Sequence, residues 1–117
     1  MVRPILKMLM SPDLFEIEAG AEPPNPESFV ILVQCLIGEE GPAADTFDVV
    51  VLTPDKVPGQ IGPDGILSGR GYLVMRRYDY PLLRSTIAGW CEKSAAPEWE
   101  TSAAYLCRYL HWEFETT

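Results

Sequence analysis

The chain has 117 residues, 47% of them hydrophobic and 22% charged, which is the composition of a globular domain and excludes disorder as the overall state. This length predicts a single domain, residues 1–117, with one hydrophobic core. With 17 acidic and 9 basic residues, the formal net charge is −8, which argues against nucleic-acid binding because that binding needs clustered Lys and Arg.

The first two predicted strands are separated by an acidic loop. A short apolar run at residues 5–10 predicts a strand, which a Ser-Pro-Asp turn ends. Residues 16–27 contain three prolines and four glutamates, and prolines so close together exclude a central strand and a helix. Residues 29–37 predict the second strand, and because both of its faces are mostly apolar we place it in the middle of a sheet.

A third strand, a long loop and a fourth strand follow. Residues 46–53 alternate between two faces and predict a strand that Pro54 closes. The connection at residues 54–71 is rich in glycine and proline, and a loop of that length in a small domain is usually functional or mobile. Residues 71–78 alternate again and predict the fourth strand.

Two amphipathic helices are predicted at the end of the chain. Asp79 can cap the first, whose apolar residues repeat at helical spacing over residues 82–91. Pro97 starts the second at the position that proline prefers, and its apolar stripe covers residues 99–110. Because strands come first and helices last, we expect an α+β fold, an antiparallel sheet of about four strands with both helices packed on one face.

Few residues are candidates for chemistry. His111 is the one histidine, and a lone histidine at the end of an amphipathic helix is far more often structural than catalytic. Cys35, Cys91 and Cys107 lie in apolar segments without a CxxC pair, so they indicate neither a zinc site nor a redox motif, and they favour a reducing compartment. No serine lies in a nucleophile-elbow pattern. We therefore expect no catalytic residue, no metal ligand and no cofactor, and not an enzyme.

Acidic residues are the candidates for a partner-binding surface. Binding residues gather on loops, and the loops on either side of the third strand are acidic, as is the end of the last helix. Surface carboxylates attract a cationic partner at long range, although an acidic charge that serves solubility alone is the competing interpretation. The predicted partner-binding residues are Glu39, Glu40, Asp45, Asp55, Asp64, Glu113 and Glu115.

The sequence also predicts where the protein resides. Residues 1–5 lack the apolar core and the cleavage site of a signal peptide. No apolar run approaches the roughly 18 residues that span a bilayer. We expect a cytoplasmic protein that binds neither membrane nor nucleic acid.

Several segments together resemble the immunity protein 8 family, and the resemblance runs nearly from end to end. The strand that closes on Thr-Pro and the terminal Trp-Glu-Phe are its most specific parts. A large aromatic that the family pattern places after the Thr-Pro is missing here. The matching segments are residues 7–13 (KMLMSPD), 36–38 (LIG), 45–51 (DTFDVVV) with 53–54 (TP), 69–74 (GRGYLV), 78–79 (YD), 99–100 (WE), 106–110 (LCRYL) and 112–115 (WEFE).

The resemblance implies a bacterial α+β protein of polymorphic-toxin systems that binds and neutralises a cognate toxin, and it gives no catalytic residues to carry over to this chain. Immunity proteins against basic nuclease toxins are often acidic, which fits the net charge of −8. Two other classes stay open: a small ligand-binding or enzymatic domain that uses the loop at residues 54–71 as a lid, and a subunit of a larger assembly, which an exposed apolar patch would indicate. The oligomeric state does not follow from the sequence.

Overall fold

The computed structural model describes residues 1–115, which form an α+β domain with one sheet and two C-terminal helices. This confirms the predicted fold class. Two short 3-10 segments, Ile17–Ala19 and Pro54–Gln60, lie in the loops. The strands are β1 (Ile5–Met10), β2 (Val30–Gly38), β3 (Asp45–Leu52), β4 (Tyr72–Val74) and β5 (His111–Trp112), and the helices are α1 (Tyr80–Glu92) and α2 (Trp99–Leu106).

The sheet has the order β1-β2-β3-β4, and the short β5 pairs with β3. Strand β2 is therefore interior, as its two apolar faces predict. Strands β1, β2, β3 and β5 pair in antiparallel fashion, whereas β4 runs parallel to β3. A parallel pair needs a crossover of a dozen or more residues, and this geometry explains the long connection at residues 54–71.

Strands β2 and β3 match the sequence-based expectation to within one residue at each end, whereas β4 and α2 differ from it more. Strand β4 covers three residues rather than 71–78. Helix α2 begins at Trp99, after Glu98 at its N-cap, and it ends at Leu106. The apolar stripe continues past that point because the chain turns into β5, and His111 therefore lies on a strand and not on a helix. The predicted cap of α1 is confirmed, since Asp79 Oδ1 accepts a hydrogen bond of 3.0 Å from the Leu82 amide.

The hydrophobic core lies between the sheet and the helices. Alternate residues of β2 and β3 point into it, because successive side chains of a strand face opposite sides. The two helices contribute apolar residues at helical spacing from the other side. The core residues of these elements are Ile31, Val33, Cys35 and Ile37 of β2, Phe47, Val49 and Val51 of β3, Leu83, Ile87 and Cys91 of α1, and Ala103 and Leu106 of α2.

The opposite side of the sheet carries no helix among residues 1–115, and most of its side chains are half-buried or exposed. We call this surface the open face. Leu52, at the far end of β3, is the fully buried residue on this side. The open face consists of Met8 and Met10 of β1, Val30, Leu32, Gln34 and Leu36 of β2, and Thr46, Asp48 and Val50 of β3. Within the same described range, none of the helices is long and apolar enough to cross a membrane.

Adjacent residues of β2 test this division into two faces. Val33 is fully buried, so Val33→Asp should prevent folding, since an unpaired buried carboxylate costs several kcal/mol against a total stability of about 5–15 kcal/mol. Leu32→Asp, on the open face, should cost about 1 kcal/mol and keep cooperative unfolding. Thermal unfolding followed by circular dichroism measures both. A Leu32→Asp chain that fails to fold would show that this side of the sheet is packed.

Candidate functional site

The acidic residues predicted to bind a partner lie at both ends of the sheet and do not form one surface. Glu39, Glu40 and Asp45 lie at the β2–β3 hairpin, where they line a depression of about 330 Å³ beside Trp99. Strand β3 then runs away from the hairpin for roughly 25 Å before the chain reaches Asp55. The structure therefore brings together only Glu39, Glu40 and Asp45. Glu113 lies close to them, because it follows β5 and pairs with Thr46 of β3.

Asp45 has a structural role that the sequence did not reveal. Its Oδ2 accepts hydrogen bonds of 3.0 Å from the indole nitrogens of both Trp99 and Trp112. The same two indoles pack against Phe47, one edge-on at 6.3 Å and the other stacked at 6.1 Å between ring centroids. Because a half-buried indole N–H needs an acceptor, Asp45 fixes both α2 and β5 to the start of β3.

Glu113 and Glu115 also make contacts within the fold. Glu113 accepts a hydrogen bond from the Thr46 amide and donates its own amide to the Thr46 carbonyl at 3.0 Å, which extends the β3–β5 pairing. Glu115 forms two hydrogen bonds with Arg70, at 3.0 and 2.6 Å. Those hydrogen bonds from Arg70 are the main reason that the pKa of Glu115 falls to about 2. The pair joins the loop before β4 to the end of the described chain.

The two predicted partner-binding residues of the long loop, Asp55 and Asp64, accept hydrogen bonds from groups of the fold. Asp55 accepts hydrogen bonds from the hydroxyls of Ser28 and Thr53, which together lower its pKa. These contacts join the turn after β3 to the residue that precedes Phe29. Asp64 accepts a hydrogen bond of 3.2 Å from the Ile66 amide and so closes a turn.

Glu39 and Glu40 are the predicted residues whose side chains have no hydrogen bond or ion pair within residues 1–115. Both are exposed. The side chain of Lys7, a residue of β1, reaches this loop. Its ammonium donates hydrogen bonds to the carbonyls of Gly41 and Ala43. The hairpin loop is thus a negatively charged surface with one cation held at its base.

Asp48 is a candidate that the sequence analysis missed. It lies in the middle of the open face, in a row in which Met10, Gln34, Asp48 and His111 are neighbours on adjacent strands. Its Oδ1 is buried and has no hydrogen-bond partner among the described residues. Burial raises the pKa of Asp48, an effect that His111 opposes and Glu113 reinforces. The signal in the sequence was a charged residue within the strand predicted at residues 46–53, whose other residues are apolar or neutral.

The long loop covers a second depression, of about 430 Å³, which His111, Tyr72 and Arg70 line together with loop residues. Here the His111 ring packs against Gly71, and a Cβ at that glycine would lie 2.4 Å from it. The described residues contain no group of three or more side chains that could hold a metal ion. Burial raises the pKa of Cys91 to about 12 and that of Cys35 still further, so these thiols stay protonated and unreactive.

The double hydrogen bond to Asp45 predicts a large effect on stability. Asp45→Ala leaves two indole N–H groups without an acceptor and should cost about 2–4 kcal/mol. Asp45→Asn keeps one oxygen as acceptor and should cost about half of that. Urea unfolding of the two variants gives both values. Equal stability of Asp45→Ala and the parent chain would contradict the structural role.

The candidate binding surfaces are the open face and the acidic hairpin loop. The family of the protein follows from comparisons with known proteins. No curated protein and no solved structure matches the chain. The sequence does match immunity protein 8 over residues 6–116, nearly its whole length. This family implies an immunity protein whose partner is a toxin. The chain belongs to the immunity protein 8 family.

Proposed function

We propose that this chain is the immunity protein of a bacterial polymorphic-toxin system and that it neutralises a cognate toxin by stoichiometric binding, without enzymatic chemistry. The family match over residues 6–116 is the observation that carries the proposal. The surface supports it, because the negatively charged hairpin loop is exposed and the open face is partly exposed, and both suit a protein partner.

The charge supports a basic toxin domain as the partner. A net charge of −8 attracts a cationic protein at long range and raises the rate of encounter. The exposed Glu39 and Glu40 concentrate that charge at one end of the sheet. We place the protein in the cytoplasm, and the three free cysteines, Cys35, Cys91 and Cys107, support a reducing compartment.

A ligand-binding domain is the second candidate function. The depression of about 430 Å³ beneath the loop at residues 54–71 favours it, since that loop would act as the lid. Its one cation, Arg70, is already bound to Glu115 and to the carbonyls of Cys107 and Leu110, which leaves little charge for a ligand. We therefore rank this function below toxin binding.

Co-production with the toxin domain encoded beside this gene tests the proposed function. The immunity protein should restore growth to cells that make the toxin, and the two chains should purify together in a complex of fixed stoichiometry by light scattering. A binding mechanism requires at least one immunity chain for each toxin chain. Full protection by a small fraction of that amount would show an enzymatic mechanism, and absence of a complex would contradict the proposal.

Charge reversal tests the role of the hairpin loop. Glu39→Lys with Glu40→Lys should slow association with the toxin several-fold, because rim charges act mainly on the association rate. The effect should fade with salt, as the screening length falls from about 10 Å at 0.1 M to about 3 Å at 1 M.

The matched control changes the net charge equally at the opposite end of β2. Glu22 and Glu27 are exposed residues of the loop before that strand, and Glu22→Lys with Glu27→Lys should slow association less. Surface plasmon resonance at low and high salt measures both variants. Equal rates for the two variants would mean that only the net charge matters and that the hairpin loop does not face the toxin.

A further inference from the structure

We propose that the toxin docks on the open face of the sheet and that a Lys or Arg side chain of the toxin pairs there with Asp48. This inference rests on the proposed function, stoichiometric toxin binding, and names the surface that performs it. Three observations carry it: the apolar character of the open face, the unpartnered carboxylate at its centre, and the groove that continues it beyond β1.

The open face is apolar where a solvent-exposed sheet face is ordinarily polar. Sheets that pack on one side usually alternate apolar residues toward the core with polar residues toward water. Here Leu32 lies opposite Val50, and Met8 lies opposite Leu36, while the polar members are Gln34, Thr46 and Asp48, with His111 of β5 beside Asp48. Several of these apolar side chains are well exposed, Met8 to 44% and Val30 to 40%. Contiguous apolar surface of this kind marks an interaction site.

The open face continues around β1 into a groove of about 460 Å³. Met8, Met10 and Gln34 form one wall, and the segment after β1 forms the other. Phe15 lies on that second wall with 84% of its surface exposed. Exposed aromatic side chains beside a groove are typical anchors of protein interfaces. The groove therefore extends the docking surface and gives it an aromatic contact.

Asp48 determines which partner fits. Its buried Oδ1 has no donor within the described residues, and the charged or titratable groups that act on its pKa are His111 and Glu113. The nearby cation Arg70 is bound to Glu115 and is not available to it. Because Asp48 as a whole is only half-buried, a cationic side chain of a partner can pair with its carboxylate from the solvent side while the surrounding apolar residues exclude water.

The same carboxylate disfavours a second copy of this chain as the occupant. A symmetric dimer through the open face would bury the same patch of both subunits, and therefore two Asp48 carboxylates with no cation to pair with them. Like charges in contact across an interface are costly. A basic protein meets no such penalty, so charge complementarity selects the toxin.

The hairpin loop adjoins one end of the open face, and the two have different roles. Strand β2 ends at Gly38, so Glu39 and Glu40 adjoin the end of the open face that contains Leu36. The loop charges steer the approach of the toxin, and the buried contacts around Asp48 and Leu32 set how slowly it leaves.

Variants of the open face test this inference in the 117-residue chain, against the toxin domain with which the parent chain forms a complex. Asp48→Asn keeps the shape and removes the charge, and it should weaken binding about ten- to hundred-fold, chiefly through faster dissociation. Leu32→Arg should weaken binding at least about tenfold, with Val30→Arg as a second variant at a more exposed position. The control is Leu82→Arg on α1, where an equally apolar side chain is 53% exposed on the helical side, and it should bind like the parent.

Melting temperature separates binding from stability. An unpaired carboxylate does not stabilise the free protein, so Asp48→Asn should melt at the same or a higher temperature while it binds more weakly. A lower melting temperature for Asp48→Asn would overturn the assignment of Asp48 as a partner contact.

The remaining outcomes separate the inference from the proposed function. If the parent chain binds no toxin, the proposed function fails. If the parent binds and the open-face variants dissociate at the parent's rate, the inference fails and the proposed function stands. A parent chain that dimerises, with a dimer that Leu32→Arg abolishes while toxin binding is unchanged, would identify a second copy as the occupant and overturn the inference as well.

Discussion

The central strands of the sheet carry apolar residues on both sides, but the two short helices cover only one side. The rest of the structure depends on this difference between the two sides. Helices α1 and α2, of 13 and 8 residues, pack on the side that carries Val33 and Phe47. Neither helix packs on the other side, where Leu32 and Val50 are half-buried. The free protein therefore keeps apolar surface in water, a cost that association with a partner would remove.

The sequence predicted the parts of the fold that depend on local pattern. The two apolar faces of β2 correctly placed it inside the sheet, and Asp79 correctly predicted the start of α1. The direction of β4 was not predictable, because a parallel and an antiparallel neighbour have the same alternation. The end of α2 was also missed, since the apolar stripe continues through Leu110, a core residue outside the helix.

The binding surface was less predictable, because the role of a carboxylate depends on the hydrogen-bond donors that the fold places around it. Asp45 meets indole groups that lie 54 and 67 positions away in sequence, and Glu115 meets a guanidinium 45 positions away. No local pattern reveals such pairs. The reverse holds for Asp48: the sequence shows only a charged residue within a strand, and its importance appears when the fold leaves its Oδ1 buried with no donor among the described residues. Counting acidic residues identifies a charged protein, whereas long-range contacts decide which of those charges are available.

Methyl NMR of the free and toxin-bound protein tests the open face most directly. Methyl groups report contacts of the side chains themselves, and both sides of this sheet carry them. The account predicts that the resonances of Met8, Leu32 and Val50 shift on complex formation, while those of Leu82 on the outer surface of α1 stay unchanged. Shifts confined to the helical side, with Met8, Leu32 and Val50 unchanged, would contradict it.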